Sequence, residues 1–577
     1  MGLAGIFHTF EGHMQHVASL RPRLRMRLYR AYPAVRAAHR RWQVSSLLLL
    51  LLVGVVLIGS GCNQSTPPQP QKHVLVWPNV GVTDLPQLDP ALSSDSNSDQ
   101  AVQLVFSGLV KLNPQLQVVP DAAYSWQVSP DGKTYTFYLP AQLRFADGTP
   151  VTAQDVIYSF DRSLQMTATA NQEDGNGGLF YLGHILGAAD VAAGRASTAR
   201  GLKAIDDHTF QVQLDAPIAY FLSDLTEPQA FIVPRQLIQK YGEKNWVEHA
   251  LGTGPFLLGH WTHGVRMTFL PNPDYYGDKP TLDELDMPFA QDPHAALLSY
   301  RAGQYDLTSN IVGPDYPQAR TEKNFHEATF LGTDALVPNG GIEPFNHPEV
   351  RQAFALALDA QVLAHEVMGD SVTPSKTLVP PGMPNYTPSS VQGLGPNTQQ
   401  ALQLLQSVYP DISMLPPVTL TYPTSDLPQA EAQALQTMWQ RALGVHVNLA
   451  PIDPSTYERE FDQGQVQLGV LNWTADLADP WDLLTLYLHS GAPEDVGGWT
   501  NAQFDQWVDQ ADMLFNAATQ RTALYQQAEQ LALNDAAWIP FDHPKFTAFI
   551  ASYVHGIVVT PLGLMVPDWA LLTVGKH

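Results

Sequence analysis

The chain is poor in several things at once. It has one cysteine in 577 residues, Cys62. A lone thiol cannot close an intramolecular disulfide or build a cysteine-rich metal site. Basic residues are scarce: 31 Lys and Arg stand against 55 Asp and Glu, a formal net charge of −24. That balance excludes the basic surface that nucleic-acid binding requires. The apolar run at residues 47–58 is twelve long, short of the roughly 20 residues a membrane-spanning helix needs. No 20–50-residue repeat is visible, which excludes a solenoid or propeller. There is no Gly-x-Ser-x-Gly elbow, no His-Glu-x-x-His and no phosphate-binding Gly-x-x-x-x-Gly-Lys loop, so nothing in the sequence points to an enzyme or a nucleotide cofactor. His8, His13 and His16 cluster, but they precede the export cleavage point, and the remaining histidines are scattered. No metal site is expected.

What is present begins with an export signal. Residues 1–44 carry eight Arg, no Lys and one acidic residue, Glu11, ahead of the short apolar core and the small residues Gly59-Ser60-Gly61. After Cys62 comes Asn63-Gln64-Ser65-Thr66-Pro67-Pro68-Gln69-Pro70-Gln71, a composition that stays extended as a tether. This arrangement resembles the bacterial lipoprotein signal, in which the cysteine is lipidated and becomes the first mature residue; Gly59 stands where that signal usually has Leu. Arg40-Arg41 leaves a twin-arginine route open. The resemblance implies a signal at 1–61, a tether at 62–72 and a lipid anchor on Cys62, stable without a spanning helix once two or more chains are attached. Without the first 61 residues, 23 basic and 54 acidic residues remain, a net charge of −31. Such a chain stays soluble and is repelled by anionic lipid surfaces.

Beyond the tether, periodicity indicates mixed α/β material. Val74-Leu75-Val76-Trp77 reads as a buried strand. Ser129-Pro130-Asp131-Gly132-Lys133 reads as a turn before the alternating Thr134–Leu139 stretch, half of a hairpin. Thr152 is placed to cap a helix carrying Asp155 in its first turn. Helices are expected at 348–363, at 427–443 with a stop at Gly444, and across 501–534; residues 445–449 alternate as a strand. Helix, glycine, strand is the unit of an α/β layer.

Several stretches then resemble one family in order and spacing. They are Leu88-Asp89-Pro90, Val105-Phe106-Ser107-Gly108-Leu109-Val110, Pro120 to Gly132, Phe145 to Val156 and Gly252-Thr253-Gly254-Pro255-Phe256. Later come Asn272 to Gly277, Val350-Arg351-Gln352-Ala353-Phe354, Asp476-Leu477-Ala478-Asp479-Pro480 and Leu524 to Glu529. The chain is similar to the extracytoplasmic solute-binding proteins of peptide-importing ABC transporters, the dipeptide/oligopeptide-binding type, family 5. The resemblance implies an α/β, two-lobed periplasmic-binding-protein-like fold with a hinge between the lobes. Lobe 1 would comprise 73–112, 252–326 and 541–577, with an extra subdomain at 113–251; lobe 2 would be 327–540. Ligand would be enclosed as the lobes close.

The same resemblance supplies the site. In peptide-binding relatives an aspartate in a Trp-x-x-Asp setting pairs with the peptide's ammonium, which here gives Trp473 and Asp476. Asp476 is the expected amine anchor, its alternative role being a cap or turn residue, which Asp479-Pro480 fits better. Trp473 and Trp499 would wall side-chain pockets, Asn472 would lend main-chain contacts, and Arg351 is read as structural. The implied partners are a peptide, the ABC permease subunits and the membrane through Cys62, with a monomeric, exported chain on the outer face of the cell membrane or in the periplasmic space. A receptor for nickel or a metallophore, and an exported hydrolase, are the competing readings.

Overall fold

The computed structural model describes residues 72–166, 177–424, 426–492 and 494–575. The export signal, the tether to Gln71 and Cys62 lie outside them. Among the described residues no helix is long and apolar enough to cross a membrane.

The Val74–Val76 strand forms where expected and runs parallel to Glu284–Ala290, which continues antiparallel into Arg266–Pro271 and Phe256–Thr262. Leu75, Leu285, Met287 and Phe269 bury one face of this sheet against Phe106 and Trp246. A separate four-stranded antiparallel sheet is inserted between Val74–Val76 and Phe256–Thr262, ordered Ser125–Val128, Thr134–Tyr138, Thr209–Gln213, Leu202–Asp206. Its hairpin turns at Gly132, whose φ of +71° favours glycine. The Ala153–Met166 helix covers it, burying Val156, Ile157 and Phe160. At that helix's start the side-chain bond runs opposite to expectation. Asp155 reaches back and accepts from both the N–H and the hydroxyl of Thr152, each at 2.8 Å, the return half of a capping box.

A buried ion-pair network ties this inserted subdomain to the first lobe. Arg162, on the covering helix, donates to Asp89 at 2.9 and 2.5 Å and to Glu243 at 3.0 and 2.7 Å. Its guanidinium lies 5.3 Å from the Trp246 ring, whose N–H also donates to Asp89 at 3.0 Å. Every charge there has a partner of opposite sign, the condition under which buried ions are tolerated.

The largest sheet is eight-stranded and mixed, and segments expected in both lobes contribute to it. Its longest member, Ile539–Ile550, changes both neighbours midway. Up to Pro544 it lies between Gly332–Pro338 and Val372–Pro374; from Lys545 onward it lies between Phe325–Thr329 and Leu307–Ser309. At the switch, Phe330 N–H donates to the Pro544 carbonyl at 3.1 Å. His543 is buried beside it, its ring nitrogens near the Gly332 carbonyl (3.1 Å) and the Ser375 hydroxyl (2.7 Å). Burial pulls that imidazole down to about 4, so it is neutral at pH 7. The boundaries expected at 326/327 and 540/541 both fall inside strands of this crossing region.

Two expected helices come out divided. The 348–363 stretch ends its first helix at Leu356; Asp359 then caps a new turn, accepting from Gln361 N–H (3.1 Å) and Val362 N–H (3.3 Å), and Leu363–Val367 winds as a π-helix. An aspartate with backbone amides in reach competes with continuous helix. The 501–534 stretch is two helices packed together, Ala502–Asp512 and Ala518–Asn534. The 427–443 expectation corresponds to Asp426–Leu443, stopped by Gly444 at φ +72°. The strand after it runs Val447–Ile452, later than the 445–449 alternation indicated.

Candidate functional site

The strand Leu468–Thr474 carries the site. It pairs antiparallel with Gly332–Pro338 along its whole length. On its other edge Val418–Pro423 pairs only with Leu468 and Gly469. Main-chain polar groups alternate between the two edges of a strand. Val470 directs its N–H and C=O away from Gly332–Pro338, both to the Tyr457 hydroxyl at 2.8 and 2.6 Å. Ala475 N–H points the other way, to Leu331 O at 2.8 Å. Asn472 and Thr474 share the parity of Val470, so their amides and carbonyls face an edge that no strand covers among the described residues.

Side chains alternate as well. Trp473 points into the core and is 3% exposed, while Asn472 is exposed and donates to Asp334 at 2.8 Å. Trp499 is also buried, edge-on to Phe504 at 5.2 Å between centroids.

Asp476 sits two residues past the strand. Asp482, in the first turn of the Trp481–Leu488 helix, holds this loop by accepting from the N–H of Asp476 (2.9 Å) and of Leu477 (3.4 Å). Asp479 takes the Trp481 N–H at 3.0 Å and a two-pronged contact from Arg521, both prongs 2.6 Å. Asp476 itself is open to solvent although protein crowds it from several sides, as a residue lining a cleft must be; that crowding raises its carboxyl, and the Tyr181 hydroxyl at 3.4 Å partly offsets it.

Tyr181 comes from the inserted subdomain, whose residues close over the loop. Tyr220 stacks on Trp481 at 4.2 Å, Phe180 approaches the same indole at 5.6 Å, and Ala219 N–H donates to Asp512 O at 2.8 Å. The largest apolar cluster therefore runs unbroken from the subdomain into the second lobe. This is a closed arrangement.

The cleft is acidic. Asp99, on the Ser96–Val105 helix, is pushed up to about 7 by burial, with Asp476 and Asp95 adding repulsion against the relief from Ser93. Glu227 is raised well above the usual carboxylate range by burial and by Asp99, Asp476, Asp482 and Asp224. The charged groups acting most strongly on both are carboxylates. Such a site stabilises a positive charge that enters it. Among the described residues no group of His, Cys, Asp or Glu side chains is placed to hold a metal ion.

Sequence reasoning reached Asp476 and its neighbours through one local motif. It missed Asp99, Glu227, Tyr181 and Asp482, because only folding brings the first three beside that loop. Asp482, three residues after Asp479, was accessible as a first-turn acid of the helix.

Two lobes, a crossing strand and a closed acidic cleft define a solute-binding protein. The chain belongs to the bacterial extracellular solute-binding proteins, family 5, whose sequence profile matches residues 117–495. It is 32% identical over 531 residues to the probable deoxycholate-binding periplasmic protein YgiS of Escherichia coli, covering 88% of this chain and 95% of that one. It is 29% identical to the dipeptide-binding protein DppE of Bacillus subtilis, covering 84% and 89%. Among solved structures, the murein tripeptide binding protein MppA of Escherichia coli superposes with a TM-score of 0.71 at 26% identity, over 88% of this chain and 99% of that one.

Proposed function

We propose that this chain captures peptides by their free amino end between its two lobes and delivers them unaltered to an ABC permease. The observation that carries the reading is the uncovered edge at Asn472 and Thr474, immediately before Asp476. An extended peptide added to that edge gains main-chain hydrogen bonds whatever its side chains, and its ammonium falls at the acidic end. A charge-assisted bond of this kind contributes on the order of 1.5–3 kcal/mol. Export, with Cys62 as lipid anchor, places capture outside the cell. The chain works as a monomer, with 73–326 and 541–577 moving against 327–540 about the crossing strand.

The 32% identity to a protein named for deoxycholate motivates a second reading, an amphipathic anion as ligand. The acidic lining opposes it, since an entering carboxylate adds to the like-charge repulsion that already raises Asp99 and Glu227, whereas an ammonium relieves it. Calorimetry with a tripeptide, its N-acetylated form and deoxycholate separates the two. Asp476→Ala is expected to weaken the free tripeptide about 10–100-fold and to leave the acetylated one unchanged. Equal affinity of mutant and wild type for the free peptide would remove Asp476 from the site.

A further inference from the structure

One anchoring carboxylate is enough for one ammonium, yet the cleft holds several. Asp99 comes from the first lobe, Glu227 and Asp224 from the inserted subdomain, and Asp476 and Asp482 from the second lobe. Their elements meet: Gln229, two residues after Glu227, donates its side-chain N–H to Ser93 O at 2.6 Å beside the helix of Asp99, and the Tyr181 hydroxyl of the subdomain reaches Asp476 at 3.4 Å. Asp482 is already committed to holding the Asp476 loop, and Asp479 is neutralised by Arg521. Asp99 has one hydroxyl, Ser93 at 2.6 Å, and Glu227 has the neighbouring Thr226 hydroxyl at a long 3.4 Å. Among the described residues neither is paired with a cation.

Asp224 adds an independent observation. It is 1% exposed, and among the described residues neither of its carboxylate oxygens has a hydrogen-bond partner. It faces Glu227, Asp479 and Asp482 rather than any free positive group. A buried, unpartnered carboxylate is costly. In a closed cleft it is tolerable where the ligand itself supplies positive charge beyond what Asp476 takes.

We propose that the preferred ligands carry two positive charges at their amino end: the α-ammonium on Asp476, and a basic side chain of the first residue received by Glu227 and Asp99. The substrate class is thus peptides beginning with lysine, arginine or a similar diamino residue. This rests on the reading that a free amine docks at Asp476. Two ammonium groups joined by a lysine side chain are far enough apart to meet separate carboxylates and close enough to share one pocket.

The test is titration calorimetry on the purified mature protein with four probes: Lys-Ala-Ala, its ε-acetyl derivative, its α-acetyl derivative and Ala-Ala-Ala. We expect ε-acetylation to weaken binding at least tenfold, and Ala-Ala-Ala to match the ε-acetyl peptide within threefold. In the Glu227→Gln/Asp99→Asn variant the ε-acetyl penalty should shrink below threefold while the α-acetyl penalty persists. Equal binding of Lys-Ala-Ala and its ε-acetyl form, with the α-acetyl form still weak, would overturn the second-charge proposal and leave the amine anchor standing. An α-acetyl peptide that binds as well as the free one, or no binding by any of the four, would overturn both.

Discussion

The two borders of the inserted subdomain treat charge in opposite ways. Towards the first lobe, buried Arg162 pairs with buried Asp89 and with half-exposed Glu243, and Trp246 completes the hydrogen bonding. Towards the second lobe, Asp224 and Glu227 face Asp482 and Asp476 with like charge on both sides. Aromatic packing of Tyr220 and Phe180 on Trp481 holds that second border together. A border whose charges are neutralised internally has no reason to open. One whose charges repel is stable only when packing outweighs repulsion or a third party brings the opposite sign. The like-charged border is therefore the one where a ligand of opposite sign would shift the balance towards closure.

The contrast can be broken from either end. The largest effect is expected at the matched border. Arg162→Met leaves Asp89 buried without its cation and should cost about 3–5 kcal/mol, read as a lower midpoint in denaturant unfolding, with little change in peptide specificity. A stable variant would show that the network is dispensable. Next is Asp224→Leu, which removes a buried carboxylate that no described residue bonds. It should raise the stability of the ligand-free protein by about 1–3 kcal/mol at pH 8. The sign follows from the raised carboxyl of Asp224. The folded state holds that proton more tightly than the unfolded one, so wild-type stability falls as pH rises from near 4, and the advantage of the variant shrinks as pH returns there. A pH-independent difference in melting would mean that the carboxylate is not the strained group. The smallest effect serves as a control. Arg195 pairs with Asp190 at 2.9 Å while largely exposed, and Arg195→Ala should move stability by less than about 0.5 kcal/mol.

Much of the fold was legible because it rests on local pattern. The alternation in Thr134–Tyr138, the apolar stripe ending at Gly444 and the edge-to-core spacing of Val74–Val76 each declare themselves within a dozen residues. What stayed hidden depends on contacts across the chain. Nothing local in 541–550 tells that the strand trades Gly332–Pro338 for Phe325–Thr329. The break at Asp359 escaped because an aspartate on a helical stripe reads as a surface residue until its amides are seen. Of the site, the Trp-x-x-Asp stretch was visible; the edge beside Asn472 was not, since an unfilled strand edge leaves no mark on the residues that form it. Asp99 and Glu227 belong to unremarkable surface-type sequences, and only their convergence makes them an electrostatic feature.

The ribbon Ile539–Ile550 has a mechanical consequence. Because its two halves are stitched into different neighbours, neither lobe can melt and leave the other intact. Heating should give one calorimetric peak despite the bilobal shape, and a protease nick near Pro544 would collapse the whole molecule instead of freeing a working half.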